Sequence, residues 1–225
     1  MSMIDKDAWM DLLSAKLQER FAERLRFLGL QGSYRRGEAT ETSDFDAVVI
    51  LDRVELADLK AYREIVAAMP DPAKACGFIG GAEEIRNWPR HELFQFVMDT
   101  EPHFGSLADL TPELGEEDAR EAARVGAGGI YHQACHAYLY AGGDRGEVLR
   151  QLCKGAFFAM QAAHYLVSGE YAGSRAELRE KLSGDERAIL SFAADRAGTS
   201  PADDGETEKM FGLLLEWSGS LLRRL

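Results

Sequence analysis

The sequence is short of positive charge. Its 225 residues carry 26 Lys and Arg against 38 Asp and Glu, a formal net charge of −12. A chain of this balance lacks the basic surface that displaces counterions from nucleic acid, and it lacks the attraction that holds proteins on anionic membranes. Neither nucleic acid nor membrane is therefore an expected partner. Cysteine is also scarce. Cys76, Cys135 and Cys153 are odd in number and widely spaced, with no C-x-x-C pair. A reduced, intracellular protein fits that usage. No apolar run approaches the roughly 20 residues of a membrane helix. The opening MSMIDKDAWMDLLSAK is without the continuous apolar stretch of a secretory signal. A cytoplasmic location is the expectation. Internal repeats and low-complexity segments are absent too.

What is present is enough apolar material, 46% of residues, for one large domain or two small ones. Residues 5–27 read as a helix, because Trp9, Leu13, Leu17, Phe21 and Leu25 recur at near-helical spacing. GLQGS breaks it, with a short strand expected at 28–30. DAVVILD, residues 46–52, is a β-branched run apolar on both faces, which predicts a central strand. ELADLKAYREIVAAM predicts a helix ended by the PDP of residues 70–72. KACGFIG and ELFQFVMD read as two further strands.

Beyond about residue 110 the signals are helical: EEDAREAARV, GIYHQACHAYLYA, and the nearly all-apolar EVLRQLCKGAFFAMQAAHYLVSG. Asp144, Ser174 and Ser183, each followed three residues on by Glu, match capping boxes. A polar loop is expected over 199–206 and a last helix over 206–224. The fold class is α+β: a mixed sheet flanked by helices over residues 1–108, then a helical bundle over 109–225.

The chemistry concentrates in GSYRRGEATETSDFDAVVILD, residues 32–52. Asp44 and Asp46 stand two apart, which on a strand puts both carboxylates on one face. Two such anions repel, and without a counter-charge one takes up a proton. A divalent cation removes the penalty, and hard Mg²⁺ favours oxygen ligands shared with substrate phosphates. Gly32 lets the backbone approach a phosphate, Ser33 can donate to it, and Arg35 and Arg36 add positive charge. Together these groups describe a cradle for a metal-bound triphosphate.

The pattern Gly32-Ser33, Arg36-Gly37 and Ser-Asp44-Phe-Asp46 before an apolar strand resembles the nucleotidyltransferase superfamily that includes DNA polymerase β. A small mixed domain followed by a helical bundle is similar to the aminoglycoside nucleotidyltransferases of the kanamycin and streptomycin type. The resemblance implies a mechanism. Two Mg²⁺ ions held by Asp44 and Asp46 would bridge to a nucleoside triphosphate. A hydroxyl on a small-molecule acceptor would then attack the α-phosphorus, releasing pyrophosphate. An NMP, with AMP the expected one, would be transferred. The resemblance also implies a third carboxylate on a later strand: Asp99 at the end of ELFQFVMD, or else Glu83 or Glu84.

The family draws a glutamate base from near a Tyr-Ala-Gly. Here that slot, before Tyr140-Ala141-Gly142, holds Leu139, so His136 or Asp99 would have to serve. Lys154, in a very apolar helix, reads as a phosphate ligand or as a lysine reaching the bundle surface. His132 and His136 share a helix face. That pairing reads as polar helix packing, a substrate-facing pair or a zinc site without an evident third ligand. His164 and Tyr165 read as core or rim, Trp9 and Trp217 as packing, and Trp88 as packing or a stacking surface. A homodimer is expected only by analogy. Two alternatives stand beside a small-molecule nucleotidyltransferase: an enzyme that nucleotidylylates a partner protein, as in toxin–antitoxin pairs, and a nucleotide-binding module without catalysis.

Overall fold

The computed structural model describes residues 5–140, 145–195 and 204–225. The chain divides into two compact units, Met1–Leu114 and Gly115–Leu225. The capping box expected at Asp144 and most of the polar loop expected at 199–206 lie outside the described residues.

In the first unit, helix α1 (Lys6–Phe21) starts at Asp5, whose side chain accepts from the amides of Asp7 and Ala8. The helix ends earlier than the apolar spacing predicts. Ala22 takes φ 47°, a 3₁₀ turn follows, and Leu25 already lies in strand β1 (Leu25–Leu30). Apolar residues at 21, 25 and 28 satisfy a helical period, but the last two belong to a strand whose inner face needs them. A one-turn helix α2 (Gly32–Arg35) leads by a loop to β2 (Phe45–Leu51). Helix α3 (Leu56–Ala67) and strand β3 (Ala75–Gly81) follow. The unit then continues through helices α4 (Ala82–Arg86) and α5 (Arg90–Met98) to strand β4 (Glu101–Phe104).

The sheet order is β3-β2-β1-β4, so β2 is interior as its two-sided apolar run requires. β1 pairs antiparallel with β2 and with β4, whereas β2 and β3 run parallel, with Asp46 opposite Cys76. Phe45, Ala47, Val49 and Leu51 pack with α1 and α3 on one face, while Val48 and Ile50 pack with Phe27, Ile85 and Leu93 on the other.

The structure corrects the reading of ELFQFVMD as a strand. Residues 90–98 are helical, behind Pro89, with Leu93 and Phe94 buried and Phe96 and Val97 packed against the second core. A short apolar run satisfies either period, and here the helical one won. The fourth strand is instead Glu101–Phe104, four exposed residues with no apolar signal to announce them.

The regular elements among the second unit's described residues are all helices. They are α6 (Glu116–Tyr140), α7 (Arg145–Ser168), α8 (Arg175–Lys181), α9 (Gly184–Asp195) and α10 (Asp204–Arg224). EEDAREAARV and GIYHQACHAYLYA, read as two helices, are one. The glycines between them do not break it, because Gly126 is where α7 comes close: a Cβ there would stand 2.8 Å from the Cβ of Ala159. Ser174 caps α8 by accepting from the Glu177 amide, as its sequence predicts. The bundle core is built from Ala127, Ile130, Leu152, Phe157, Phe211, Leu214 and Trp217. No helix among the described residues is long and apolar enough to cross a membrane.

Candidate nucleotide site

The loop after α2 sets the entry to β2. The Glu38 amide donates to the Ser33 carbonyl at 2.8 Å, and Ser43 Oγ accepts from the Thr40 amide at 2.9 Å. These bonds deliver Asp44, exposed, to the position just before the strand, with Phe45 buried against Trp9 and Tyr34. Asp46, half-buried, lies one pleat further on. Alternation along β2 places it on the side of Val48 and Ile50, opposite Phe45.

Gly32 meets Asp46 directly. The Gln31 amide donates to the Asp46 carbonyl at 2.9 Å, so α2 starts beside the strand. Gly32 has φ +71°, and a Cβ there would lie 1.8 Å from Asp46 Oδ2. Only glycine permits that backbone and that contact. The Gly-Ser element therefore seats the carboxylate that follows it fourteen residues later.

Burial pushes the Asp46 carboxyl above the usual carboxylate range; the Cys76 thiol opposes this as a hydrogen-bond donor, the Asp44 charge adds to it, and Arg36 opposes it. Asp46 thus senses the like charge of Asp44. Cys76, exposed and in register with Asp46 on β3, is a neighbour that sequence reasoning missed. The strand KACGFIG was legible, but the parallel register that brings residue 76 to residue 46 was not.

Two neighbouring oxygen-donor carboxylates are chemistry that suits a hard divalent cation. Among the described residues no group of three His, Cys, Asp or Glu could hold a metal by itself. The pair therefore fits an ion only if substrate oxygens and water complete its shell.

Among the described residues, none of the expected third carboxylates completes a group of three with Asp44 and Asp46 that could hold a metal. Asp99 does not end a strand beside β2. It follows α5 as its C-cap and is 7% exposed. Its Oδ2 accepts from Arg36 Nη1 at 2.6 Å and its Oδ1 from Arg35 Nη1 at 3.4 Å. Burial pushes its carboxyl up, against the pull of both guanidiniums. Arg36, expected at the phosphate, is engaged by Asp99 and by Glu38, 3.4 Å from its Nε. Glu83 and Glu84 are exposed on α4, with Glu83 paired to Arg86.

In the second unit, Lys154 is half-buried on α7. Burial lowers its pKa first, and the charges of Arg150 and Arg175 lower it further, partly offset by Glu147. Lys154 thus lies within electrostatic range of Arg175 and of Arg150, which is itself paired with Glu147. His132, His136 and Tyr140 form a ladder along α6, with ring centroids 6.3 and 5.2 Å apart. The two histidines line a groove of about 440 Å³ with Gln133, Ala137, Val148, Gln151 and Leu152. Leu139 is 65% exposed and carries no basic group. Ala141 and Gly142 of the Tyr-Ala-Gly match lie outside the described residues.

A family model described as a nucleotidyltransferase domain matches residues 11–80, which include Gly32, Ser33, Asp44 and Asp46. A comparison with curated proteins finds no match. Among solved structures, the chain is similar in fold to the spectinomycin adenyltransferase from Enterococcus faecialis, whose structure holds ATP and spectinomycin. The TM-score is 0.59 at 12% identity, covering 96% of this chain and 99% of that one.

Proposed function

We propose that this chain, whose first unit carries a nucleotidyltransferase domain, transfers an NMP, AMP by expectation, from a nucleoside triphosphate to a hydroxyl of a small molecule. The observation that carries the reading is the seating of Asp46 on Gly32, with Asp44 just before the same strand, within the residues that the family model matches. The left-handed glycine and the neighbouring carboxylates together would make a seat for a cation and a triphosphate.

Asp44 and Asp46 would hold Mg²⁺. When bound, the ion would neutralise charge on the reacting phosphate and on its leaving group. The chain's own residues bind and orient. Gly32 leaves the backbone open to a phosphate oxygen, and Ser33 donates to it. Lys154 is the residue of the second unit that would bind phosphate. In the reaction, the acceptor oxygen forms a bond to the α-phosphorus, the bond to the bridging oxygen breaks, and pyrophosphate leaves. The hydroxyl proton passes to a general base, for which the sequence offers His136 or Asp99. Asp99, held by two arginines, is the poorer candidate. The similar solved structure contains spectinomycin, which favours a hydroxylated aminocyclitol or aminoglycoside as acceptor. The helical unit is the proposed acceptor-binding part.

A nucleotide-binding module without catalysis is the second reading. Leu139 in the slot of the family base and the lack of a three-ligand cluster among the described residues favour it. Incubation with α-labelled ATP, Mg²⁺ and a panel of aminocyclitols separates the two. Labelled acceptor with stoichiometric pyrophosphate supports transfer. Tight Mg²⁺-dependent nucleotide binding with no pyrophosphate under any acceptor supports the module, and label on protein supports a protein acceptor.

A further inference from the structure

The end of α5 and the start of the Gly-Ser element are tied together by several side-chain hydrogen bonds. Asp99 gives one carboxylate oxygen to each of two successive arginines, Arg35 and Arg36. Arg35 Nη2 also donates to the Met98 carbonyl at 3.1 Å. Nearby, Gln31 Nε2 donates to Thr100 Oγ1 at 2.7 Å and to the Phe96 carbonyl at 3.1 Å. Residues 31, 35 and 36 thus grip residues 96–100. The grip is dry: the side chains of Arg36 and Asp99 are 7% and 10% exposed. Charge-assisted bonds in such surroundings hold geometry firmly, and breaking one leaves a buried charge without its partner.

What the grip holds is the stretch that contains Gly32 and Ser33. Gly32 has no clearance from the Asp46 carboxylate, so any shift of residues 31–36 moves the floor on which Asp46 rests. We propose that Asp99 is a positioning residue: through Arg36 and Arg35 it fixes the Gly32–Ser33 element against Asp46, and it takes no part in holding the metal. The assignment rests on the nucleotidyltransferase reading. It replaces the third-carboxylate role that the sequence pattern suggests. Both oxygens of Asp99 are already engaged, and its place after α5 is not a strand position beside β2.

The test compares wild type, Asp99→Asn and Thr100→Val. Calorimetry measures binding of a non-hydrolysable ATP analogue with Mg²⁺. Electron paramagnetic resonance counts Mn²⁺ bound in the presence of the same analogue, and a thermal melt checks folding. Asp99→Asn is expected to weaken nucleotide binding about tenfold or more, the scale of a lost charge-assisted hydrogen bond. The Mn²⁺ count should equal that of wild type, and the steady-state loss should fall on the nucleotide KM more than on kcat. Thr100→Val, which leaves no unpaired charge, should show a smaller loss of the same kind. A folded Asp99→Asn that binds nucleotide like wild type overturns the proposal. So does one that loses a Mn²⁺ ion together with kcat, because Asp99 would then be a ligand. If Asp99→Asn does not fold, Thr100→Val decides, and unchanged nucleotide affinity rejects the grip. If wild type binds no Mg²⁺-nucleotide at all, the nucleotidyltransferase reading falls and the proposal falls with it.

Discussion

Replacing Gly32 by alanine probes the seat of Asp46 with a single methyl group. Two costs can be worked from the structure. Gly32 has φ +71°, in the left-handed region, where a Cβ costs about 1–2 kcal/mol. The new Cβ would also stand 1.8 Å from Asp46 Oδ2, whereas ordinary van der Waals contact begins at 3.4 Å. The carboxylate must therefore retreat by 3.4 − 1.8 = 1.6 Å. Turning a side chain off its rotamer costs about 0.5–1.5 kcal/mol. The sum, about 1.5–3.5 kcal/mol, lies within the roughly 5–15 kcal/mol stability of an ordinary domain, so the variant should remain folded. Activity should suffer far more, since a misplacement of about 1 Å at a reacting centre can cost about 100-fold. Urea denaturation and a pyrophosphate-release assay, run on the same preparation, measure the two effects. Gly32→Ala is expected to unfold at lower urea yet cooperatively, with turnover reduced about 100-fold or more. A folded variant whose turnover stays within a few-fold of wild type would refute the claim that Gly32 exists to seat Asp46.

Asp58 supports a pH prediction. Its side chain is 9% exposed and bonds bidentately to Arg24 at 2.8 and 2.9 Å, which holds its carboxyl down at about 2. A depressed carboxylate contributes stability that is complete above its unfolded pKa, about 3.9, and is lost as pH falls through the folded value. The contribution at neutral pH is about 1–2 kcal/mol after discounting for the partly exposed Arg24. Asp58→Asn should therefore be less stable than wild type at pH 7 by that amount, with the gap closing between pH 4 and 2 in urea melts. A gap that stays constant over that range would remove the pair from the account. Thiol labelling gives a further expectation. Cys153 is fully buried with its thiol pushed up to about 12, while Cys76 is exposed beside Asp46. An aromatic disulfide reagent should modify Cys76 quickly and Cys153 only on unfolding, and Mg²⁺ with ATP should slow the reaction at Cys76. Unchanged Cys76 labelling with saturating nucleotide would place the ligand elsewhere.

Much of the first unit was legible because its decisive signals are local. DAVVILD is apolar on both faces and became the interior strand β2. The turn residues Gly32 and Ser33 and the pair Asp44 and Asp46 lie within fifteen residues, so their association needed no long-range inference. ELFQFVMD was misread because eight residues fit two periods, and β4 was invisible because an edge strand of EPHF needs no apolar face. The partners of Asp99 lie more than sixty residues away and depend on where α5 ends, and no spacing rule reports that. Cys76 was hidden for a similar reason, since its place opposite Asp46 is a matter of register. In the second unit the helices were plain, yet the continuity of α6 depended on Gly126 accepting Ala159 across a close helix contact, a tertiary fact.

The central claim is that Asp44 and Asp46 form the seat of a divalent cation that carries a nucleoside triphosphate. It is tested most directly by titrating a fluorescent ATP analogue into wild type, Asp44→Asn and Asp46→Asn at zero and at millimolar Mg²⁺. The account predicts that Mg²⁺ tightens binding to wild type at least tenfold, and that either substitution removes this gain while leaving the melting temperature near or above that of wild type, since each relieves a like-charge repulsion. Equal Mg²⁺ enhancement in all three proteins would contradict it.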